Sequence, residues 1–104
     1  MMKFQVGDFV IINKYQWRPR PWRLEATECF RHFMSSLYQI KGHDIRFDER
    51  LINTFGVITQ VMNHKDAWQS GKSTNRDNVY AWFSQVDARS HMFYENEVSG
   101  EIIK

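Results

Sequence analysis

Cys29 and His32 are the two residues of this 104-residue sequence whose types and spacing come nearest to reactive chemistry. They are three positions apart, so on a helix they share a face, and Glu25 and Glu28 are close by. A metal site would need further ligands from elsewhere, and the Glu-x-x-His spacing of di-iron helix bundles is absent. A catalytic thiolate would need a histidine and an orienting carboxylate brought to it. We therefore interpret Cys29 as a packed, chemically quiet thiol beside a surface histidine.

Other catalytic motifs are missing from the sequence. It contains no glycine-rich phosphate loop, nucleophile elbow or metalloprotease helix. Asp48 and Glu49 are adjacent, so their carboxylates point apart and do not converge on a substrate. Because Cys29 is the single cysteine, one chain cannot form an internal disulfide or a multi-cysteine zinc site. We predict a protein that is not an enzyme and that holds no metal or cofactor.

The segment KYQWRPRPWR, residues 14–23, combines four cations, two tryptophans, a tyrosine and both prolines of the chain. We call it the strap. Each proline pushes the residue before it toward extended or polyproline conformations, which would hold Arg18 and Arg20 outward. A guanidinium beside an indole can stack on it, and the same pair of side chains can bind a phosphate or an exposed base. The prolines and aromatics therefore make the strap a candidate binding surface.

Three interpretations of the strap compete. In the first, the strap has a structural role: Trp17 and Trp22 pack it against the core, and the arginines are only solvated. In the second, the strap is a protein-binding surface, because tryptophan, tyrosine and arginine are enriched at binding hot spots. In the third, it makes weak, salt-sensitive contact with nucleic acid. We adopt the second, with these candidate partner-binding residues: Lys14, Tyr15, Trp17, Arg18, Arg20, Trp22 and Arg23.

Composition limits the class of protein. With 42% hydrophobic and 15% aromatic residues, the sequence is typical of a soluble globular protein with one core. The net charge of +2 is too small to indicate nucleic-acid binding by itself. The uninterrupted aliphatic and aromatic runs, such as residues 9–12 and 79–83, are far shorter than the roughly 18 residues of a membrane span. We expect a cytoplasmic protein that does not bind a membrane.

Residue patterns predict mostly strands and one helix. Runs of β-branched and aromatic residues predict strands at 9–12, 57–61, 79–83 and 90–94. Apolar residues at helical spacing predict an amphipathic helix over 22–41. Residues 43–54 are expected to be irregular and 64–78 to form a long mobile loop. The expected core comprises Val10, Ile12, Phe30, Phe33, Leu37, Val57, Ala81 and Phe83.

The order VGDFVII, GVITQV, VYAWF and HMFYENEV, followed by a short apolar tail, resembles a small SH3-like barrel. Such barrels occur in KOW- and Tudor-type modules and in short proteins of tailed phages. The motif positions are Gly7, Asp8, Gly56, Trp82, Tyr94, Glu95, Glu97 and Val98. The resemblance implies a mainly β fold with one inserted helix: a small SH3-like antiparallel barrel forming a single domain over 1–104. The strap and helix are then an insertion at about 14–54.

These features predict a non-enzymatic protein–protein interaction module. By resemblance it is a small phage protein that decorates a particle or binds a host factor, located in the host cytoplasm or the virion. The partner is then a host factor or a virion component. The alternative is a single-stranded nucleic-acid or RNA-binding accessory protein, for which nucleic acid is the partner. The sequence does not indicate the oligomeric state.

Overall fold

Five antiparallel strands form one sheet in the computed structural model, which describes residues 3–17, 26–38, 47–69 and 78–103. The strands are β1 (Phe9–Tyr15), β2 (Phe55–Met62), β3 (Val79–Ser84), β4 (Ser90–Tyr94) and β5 (Val98–Ile102). Their spatial order is β4, β3, β2, β1, β5, so β5 lies beside β1. The four predicted strands are confirmed, and the protein is mainly β. The sheet is not closed: β4 and β5 form its two edges.

Gly56 lies where β2 passes beneath the indole of Trp82. In register, Gly56 pairs with Val10 of β1 on one side and with Ser84 of β3 on the other. The Nε1 of Trp82 donates a hydrogen bond of 3.1 Å to the carbonyl of Val10, so the ring crosses over β2. A Cβ on Gly56 would lie 2.7 Å from Cε2 of that ring and closer still to the carbonyl oxygen of Phe83. Glycine at this position therefore gives the indole the room to reach β1.

One face of the sheet, which we call the inner face, carries the first of two hydrophobic cores. Phe4 reaches it from the segment before β1, and Phe47 and Leu51 reach it from the segment before β2. The ring of Phe47 packs edge-on against Trp82, with 5.4 Å between ring centroids. The buried cluster comprises Phe4, Val10, Ile12, Phe47, Leu51, Ile58, Tyr80, Trp82, Phe93 and Val98.

The opposite face, the outer face, is covered by helices over β3 and β4. These helices are α1 (Glu28–Tyr38) and α2 (His64–Ala67). Phe30 of α1 packs 5.2 Å from the ring of Trp68 and 6.2 Å from that of Tyr94. This second core comprises Ala26, Phe30, Phe33, Met34, Ala67, Trp68, Val79, Ala81, Met92 and Tyr94. β3 is therefore buried on both faces of the sheet.

The first helix begins later than the sequence predicts. Thr27 caps it: its hydroxyl accepts a hydrogen bond from the Phe30 amide (3.1 Å) and its carbonyl accepts one from the Arg31 amide (3.0 Å). Ala26 instead forms an isolated β-bridge with Trp68. The prediction of a helix over 22–41 is therefore wrong at residues 26 and 27 and confirmed over 28–38. Residues 22–25 and 39–41 lie outside the described residues.

The predicted loop over 64–78 is wrong at its start. The side chain of Asn63 accepts a hydrogen bond of 3.0 Å from the amide of Asp66 and so caps α2. Residues 70–77 lie outside the described residues. Two short 3-10 helices, Glu49–Leu51 and Glu95–Glu97, precede β2 and β5. Residues 47–54 otherwise form no α-helix or strand, as predicted for that segment.

Most of the predicted core is confirmed. Five of its members are buried: Val10, Ile12, Phe30, Phe33 and Ala81. Val57 and Phe83 are only half-buried, because the helices stop before they cover that part of the outer face. The side chain of Leu37 lies outside the described residues.

Candidate interaction site

The structure describes the first four residues of the strap, and their side chains have different environments. Lys14 is exposed. Tyr15 is half-buried, and its ring packs 5.5 Å from that of Phe47. The amide of Gln16 donates a hydrogen bond of 2.8 Å to the carbonyl of Glu97, which ties the strap to the second 3-10 helix. Tyr15 therefore contributes to packing against the inner core and is not an exposed contact residue.

The rest of the predicted binding set is less fully described. Trp17 is half-buried. Arg18, Arg20, Trp22 and Arg23 lie outside the described residues, so their roles stay predictions. A cleft of about 210 Å³ opens beside the start of the strap. Its lining consists of Lys14, Gln16, Asn96, Glu97, Val98 and Ser99.

An apolar surface occupies the part of the outer face that the second core does not include. We call it the open face. Of its members, Phe55 is 44% exposed and Ile103 is 40% exposed, and the other four are half-buried. The amide of Ile103 donates a hydrogen bond of 2.7 Å to the carbonyl of Phe9, which places Ile103 beside β1. The open face comprises Phe9, Ile11, Phe55, Val57, Phe83 and Ile103.

Two cross-strand rows make up the open face. In one row, Val57 of β2 is flanked in register by Phe9 of β1 and Phe83 of β3. In the other, Phe55 pairs with Ile11. The rings of Phe9 and Phe55 are in contact across the two rows, with centroids 5.3 Å apart. Because cross-strand partners project from the same face of a sheet, the six side chains form one contiguous patch.

The open face departs from the pattern of a solvated antiparallel sheet. Such a sheet normally alternates apolar residues toward the core with polar residues toward water. In β1, however, Val10 and Ile12 are fully buried on the inner face while Phe9 and Ile11 lie on the outer one. By contrast, the exposed Val86 (65%) lies in the β3–β4 turn, away from this patch. Contiguous exposed apolar surface is typical of interaction sites, whereas scattered apolar residues are not.

A polar network fixes the backbone on the inner side. The Tyr80 hydroxyl donates to Glu95 Oε1 at 2.6 Å and accepts hydrogen bonds from the amides of Lys3 (3.0 Å) and Phe4 (3.3 Å). The other carboxylate oxygen of Glu95 accepts a hydrogen bond of 3.1 Å from Asn78. Burial raises the pKa of Tyr80, and the hydrogen bond to Glu95 raises it further. The phenol therefore stays protonated and holds the segment before β1 against the sheet.

A histidine–carboxylate contact lies at the β3–β4 turn, and an arginine–carboxylate ion pair lies at the first 3-10 helix. His91 Nε2 lies 2.8 Å from Asp87 Oδ2, and the imidazole packs against Phe47. Burial acts to raise the pKa of Asp87, but the hydrogen bond with His91 helps to hold that pKa below its usual range. Hydrogen bonds from the side chain and amide of Arg50 lower the pKa of Asp48 to about 2. These pairs stabilise turns and do not converge on a common point.

The Cys29 prediction is wrong about burial. The thiol is exposed, as is His32, because both lie on the side of α1 away from the buried stripe. Within residues 3–17, 26–38, 47–69 and 78–103, no three His, Cys, Asp or Glu side chains are grouped closely enough to hold a metal ion. Of the helices that the structure describes, none is both long and apolar enough to cross a membrane.

Comparison of the chain with protein families, with curated proteins and with solved structures found no match. The open face was not identified from the sequence. Its signal is the run FVII at 9–12, which puts large apolar side chains on both faces of one strand. A run of this kind indicates that both faces are apolar, but not whether the second face is covered.

Proposed function

We propose that this protein is a non-enzymatic protein-interaction module and that it binds a partner protein through the open face. The observation that supports this proposal is the patch of six contiguous apolar side chains on the outer face, of which Phe55 and Ile103 are exposed. Removing apolar surface from water is favourable by roughly 25 cal/mol per Å². Covering the patch with a partner would therefore contribute to the free energy of binding. The cores of protein interfaces are enriched in aromatic residues, and three of the six side chains are phenylalanines.

The fold proposal that accompanies this function is an SH3-like barrel. Four consecutive strands arranged as a meander support it, together with a fifth strand that returns to pair with the first. A short 3-10 helix between β4 and β5 is consistent with the tight turn of the resembled pattern. By the same resemblance we propose that the partner is a host factor or a virion component. We propose the strap, whose first two residues are the last two of β1, as a second contact.

Position-specific cross-linking tests the proposal. A photo-reactive phenylalanine analogue is placed at position 55, and in a matched control protein at position 86, which is also exposed and apolar. Each protein is incubated with extract of the organism that encodes it, treated with nuclease, and irradiated. We expect discrete protein adducts from position 55 and none from position 86. Equal labelling at the two positions, or no adduct at position 55, would contradict the proposal.

Salt dependence separates protein from nucleic acid as the partner. An apolar contact should give the same adducts at about 0.1 and about 1 M salt, although the Debye length falls from about 10 to 3 Å. A nucleic-acid partner would be lost over that range, because binding to phosphates releases counterions. Position-55 adducts that disappear with nuclease or salt would favour the nucleic-acid alternative.

A further inference from the structure

The two edge strands of the sheet differ in accessibility. Three of the five residues of β4 are buried, among them Tyr94, whose amide donates a hydrogen bond of 3.3 Å to Glu97 Oε1. In β5 only Val98 is buried, and Ile102 is 43% exposed. An edge strand with accessible main-chain groups is a template for pairing with another strand. The accessible edge of this sheet is therefore β5.

Gly100 and Ile102 direct their main-chain groups away from the sheet. The amide of Ile103 donates a hydrogen bond of 2.7 Å to the carbonyl of Phe9, and the register of β5 with β1 is regular from there back to Gly100. In an antiparallel strand, successive residues direct their main-chain groups to alternate sides. The N–H and C=O groups of Ile102 and Gly100 therefore point to the side opposite β1, where no described strand lies.

The charges beside β5 are divided along its length. Lys3 Nζ donates a hydrogen bond of 2.9 Å to the carbonyl of the first residue of β5. Lys14 pairs in register with Ser99, and both line the cleft of about 210 Å³. Glu97, the other charged residue of that cleft, is buried, whereas both lysines are exposed. Because Glu101 is also exposed, an occupant of the edge meets positive charge near Ser99 and negative charge two residues later.

We propose that the β5 edge binds an extended segment of a partner protein, which joins the sheet as an antiparallel sixth strand. The inference rests on the proposed function, that this protein binds a partner protein, and it adds a main-chain contact next to Ile103 of the open face. The segment exchanges hydrogen bonds with the outward N–H and C=O groups of Gly100 and Ile102, as in other cases of β-strand addition. Antiparallel pairing continues the direction of the sheet and is the more stable of the two arrangements.

The charges determine the side chains that the segment carries. Opposite Ser99 it carries an acidic residue, on the same face as Lys14 and about 10 Å from it between Cα atoms, with only the small serine side chain between them. Opposite Glu101 it carries a basic residue, because opposite charges on facing positions attract. From its N-terminus to its C-terminus, the segment therefore has a basic residue, any one residue, and an acidic residue.

Two synthetic peptides of equal composition test this pattern. The first is Thr-Val-Lys-Val-Glu-Val-Thr with blocked ends, and the second has its lysine and glutamate exchanged. Each is titrated into the isotope-labelled full chain from about 10 µM to 1 mM, a range that covers weak complexes, and followed by nuclear magnetic resonance. With the first peptide the amide signals of Gly100 and Ile102 should shift most, and that of Glu101, which is directed at β1, should shift less. The exchanged peptide should bind at least about threefold more weakly.

A pair of variants tests the main-chain contact. Ile102→Pro removes the outward N–H without removing a hydrogen bond to β1, so the edge strand should tolerate it. Ile102→Thr, the matched control, also loses the isoleucine side chain but keeps that N–H. Ile102→Thr should bind the first peptide, and Ile102→Pro should not. Circular dichroism establishes that both variants are folded. Equal binding by the two folded variants would overturn the proposed pairing.

A charge reversal tests the direction of the segment and does not depend on proline. The double variant Lys14→Glu with Glu101→Lys should prefer the exchanged peptide, by about the factor with which the parent prefers the first one. Equal binding of both peptides by the parent would overturn the proposed charge pattern. Tighter binding of the exchanged peptide by the parent would overturn the antiparallel direction.

The edge and the open face can fail separately. Cross-links from position 55 to another protein, without any shift of Gly100 or Ile102 by either peptide, would overturn the added strand and leave the proposed function standing. Peptide binding at the edge without cross-links from position 55 would support the added strand and contradict the open face as the binding site. Sedimentation without peptide should give 12.6 kDa. A doubled mass that Ile102→Pro abolishes would assign the edge to a second copy of the chain and overturn the proposal.

Discussion

Replacement of Gly56 by alanine should strongly destabilise the fold. The added methyl carbon would lie 2.7 Å from Cε2 of Trp82 and closer to the carbonyl of Phe83, so the backbone or the indole has to move. Overpacking of this kind costs about 1 to 3 kcal/mol. Displacing the indole would also break its 3.1 Å hydrogen bond to Val10 and leave a buried N–H group without that acceptor, which costs about 1 to 3 kcal/mol. We expect Gly56→Ala to lower the free energy of unfolding by about 2 to 4 kcal/mol.

Urea unfolding measures the loss in stability, and hydrogen exchange of the Trp82 indole N–H shows where it originates. In the parent this proton should exchange slowly, and in Gly56→Ala much faster. Gly7→Ala is the matched control: a Cβ there would meet no atom within 4 Å, but the φ angle of +94° is unfavourable for alanine. Gly7→Ala should therefore lose stability without accelerating exchange at Trp82. A Gly56→Ala protein within about 0.5 kcal/mol of the parent would refute the close-approach argument, since that is the effect of an ordinary surface change.

Three further predictions concern other parts of the fold. Ala88→Gly should raise the free energy of unfolding by about 0.5 to 1 kcal/mol, because Ala88 has a φ of 55° and alanine is strained there; a loss of stability would contradict this. Phe30→Ala should lower it by about 3 to 5 kcal/mol in urea unfolding, and a loss below about 1 kcal/mol would mean that α1 contributes little to the core. The Asp48 carboxylate has its pKa lowered from 3.8 to about 2, so its contribution is present above pH 4 and is lost as pH falls toward 2. Asp48→Asn should therefore flatten the dependence of the urea midpoint on pH between about 4 and 2, and an unchanged slope would contradict the role of the Arg50 hydrogen bonds.

Strands were predictable from the sequence because their signal is local. The β-branched runs at 9–12 and 57–61 identify β1 and β2 without knowledge of the rest of the fold. The start of α1 was not predictable in the same way. Ala26 continues the apolar spacing of the helix, but its bridge to Trp68 depends on a residue more than forty positions away. The cap of α2 has a local signal, Asn63 followed three residues later by Asp66, but it lies in a segment whose polar composition is otherwise typical of a loop.

The sequence shows which side chains share one face of a strand, but it shows less well whether another element covers that face. Alternation correctly places Val79, Ala81 and Phe83 on one side of β3, but it does not show where a helix lies over them. Phe83 extends beyond the helices and Val79 does not, so one is half-buried and the other fully buried. Aromatic residues outside periodic segments are also difficult to assign to a core from the sequence. Phe4 and Trp68 belong to the two cores, yet neither lies in a periodic segment that would have marked it.

The pairing of β1 with β5 affects how the chain acquires its structure during synthesis. Val10 of β1 pairs in register with Ile102 of β5, so the partners are 92 positions apart (102 − 10). At about 5 to 20 residues per second, a ribosome needs roughly 5 to 20 seconds to make the intervening chain. Until then β1 lacks one of its two neighbours, and its apolar side chains are available to chaperones or to other nascent chains. Distant pairing of this kind also slows folding itself, so the yield of native protein should depend on translation speed more than for a fold with local contacts.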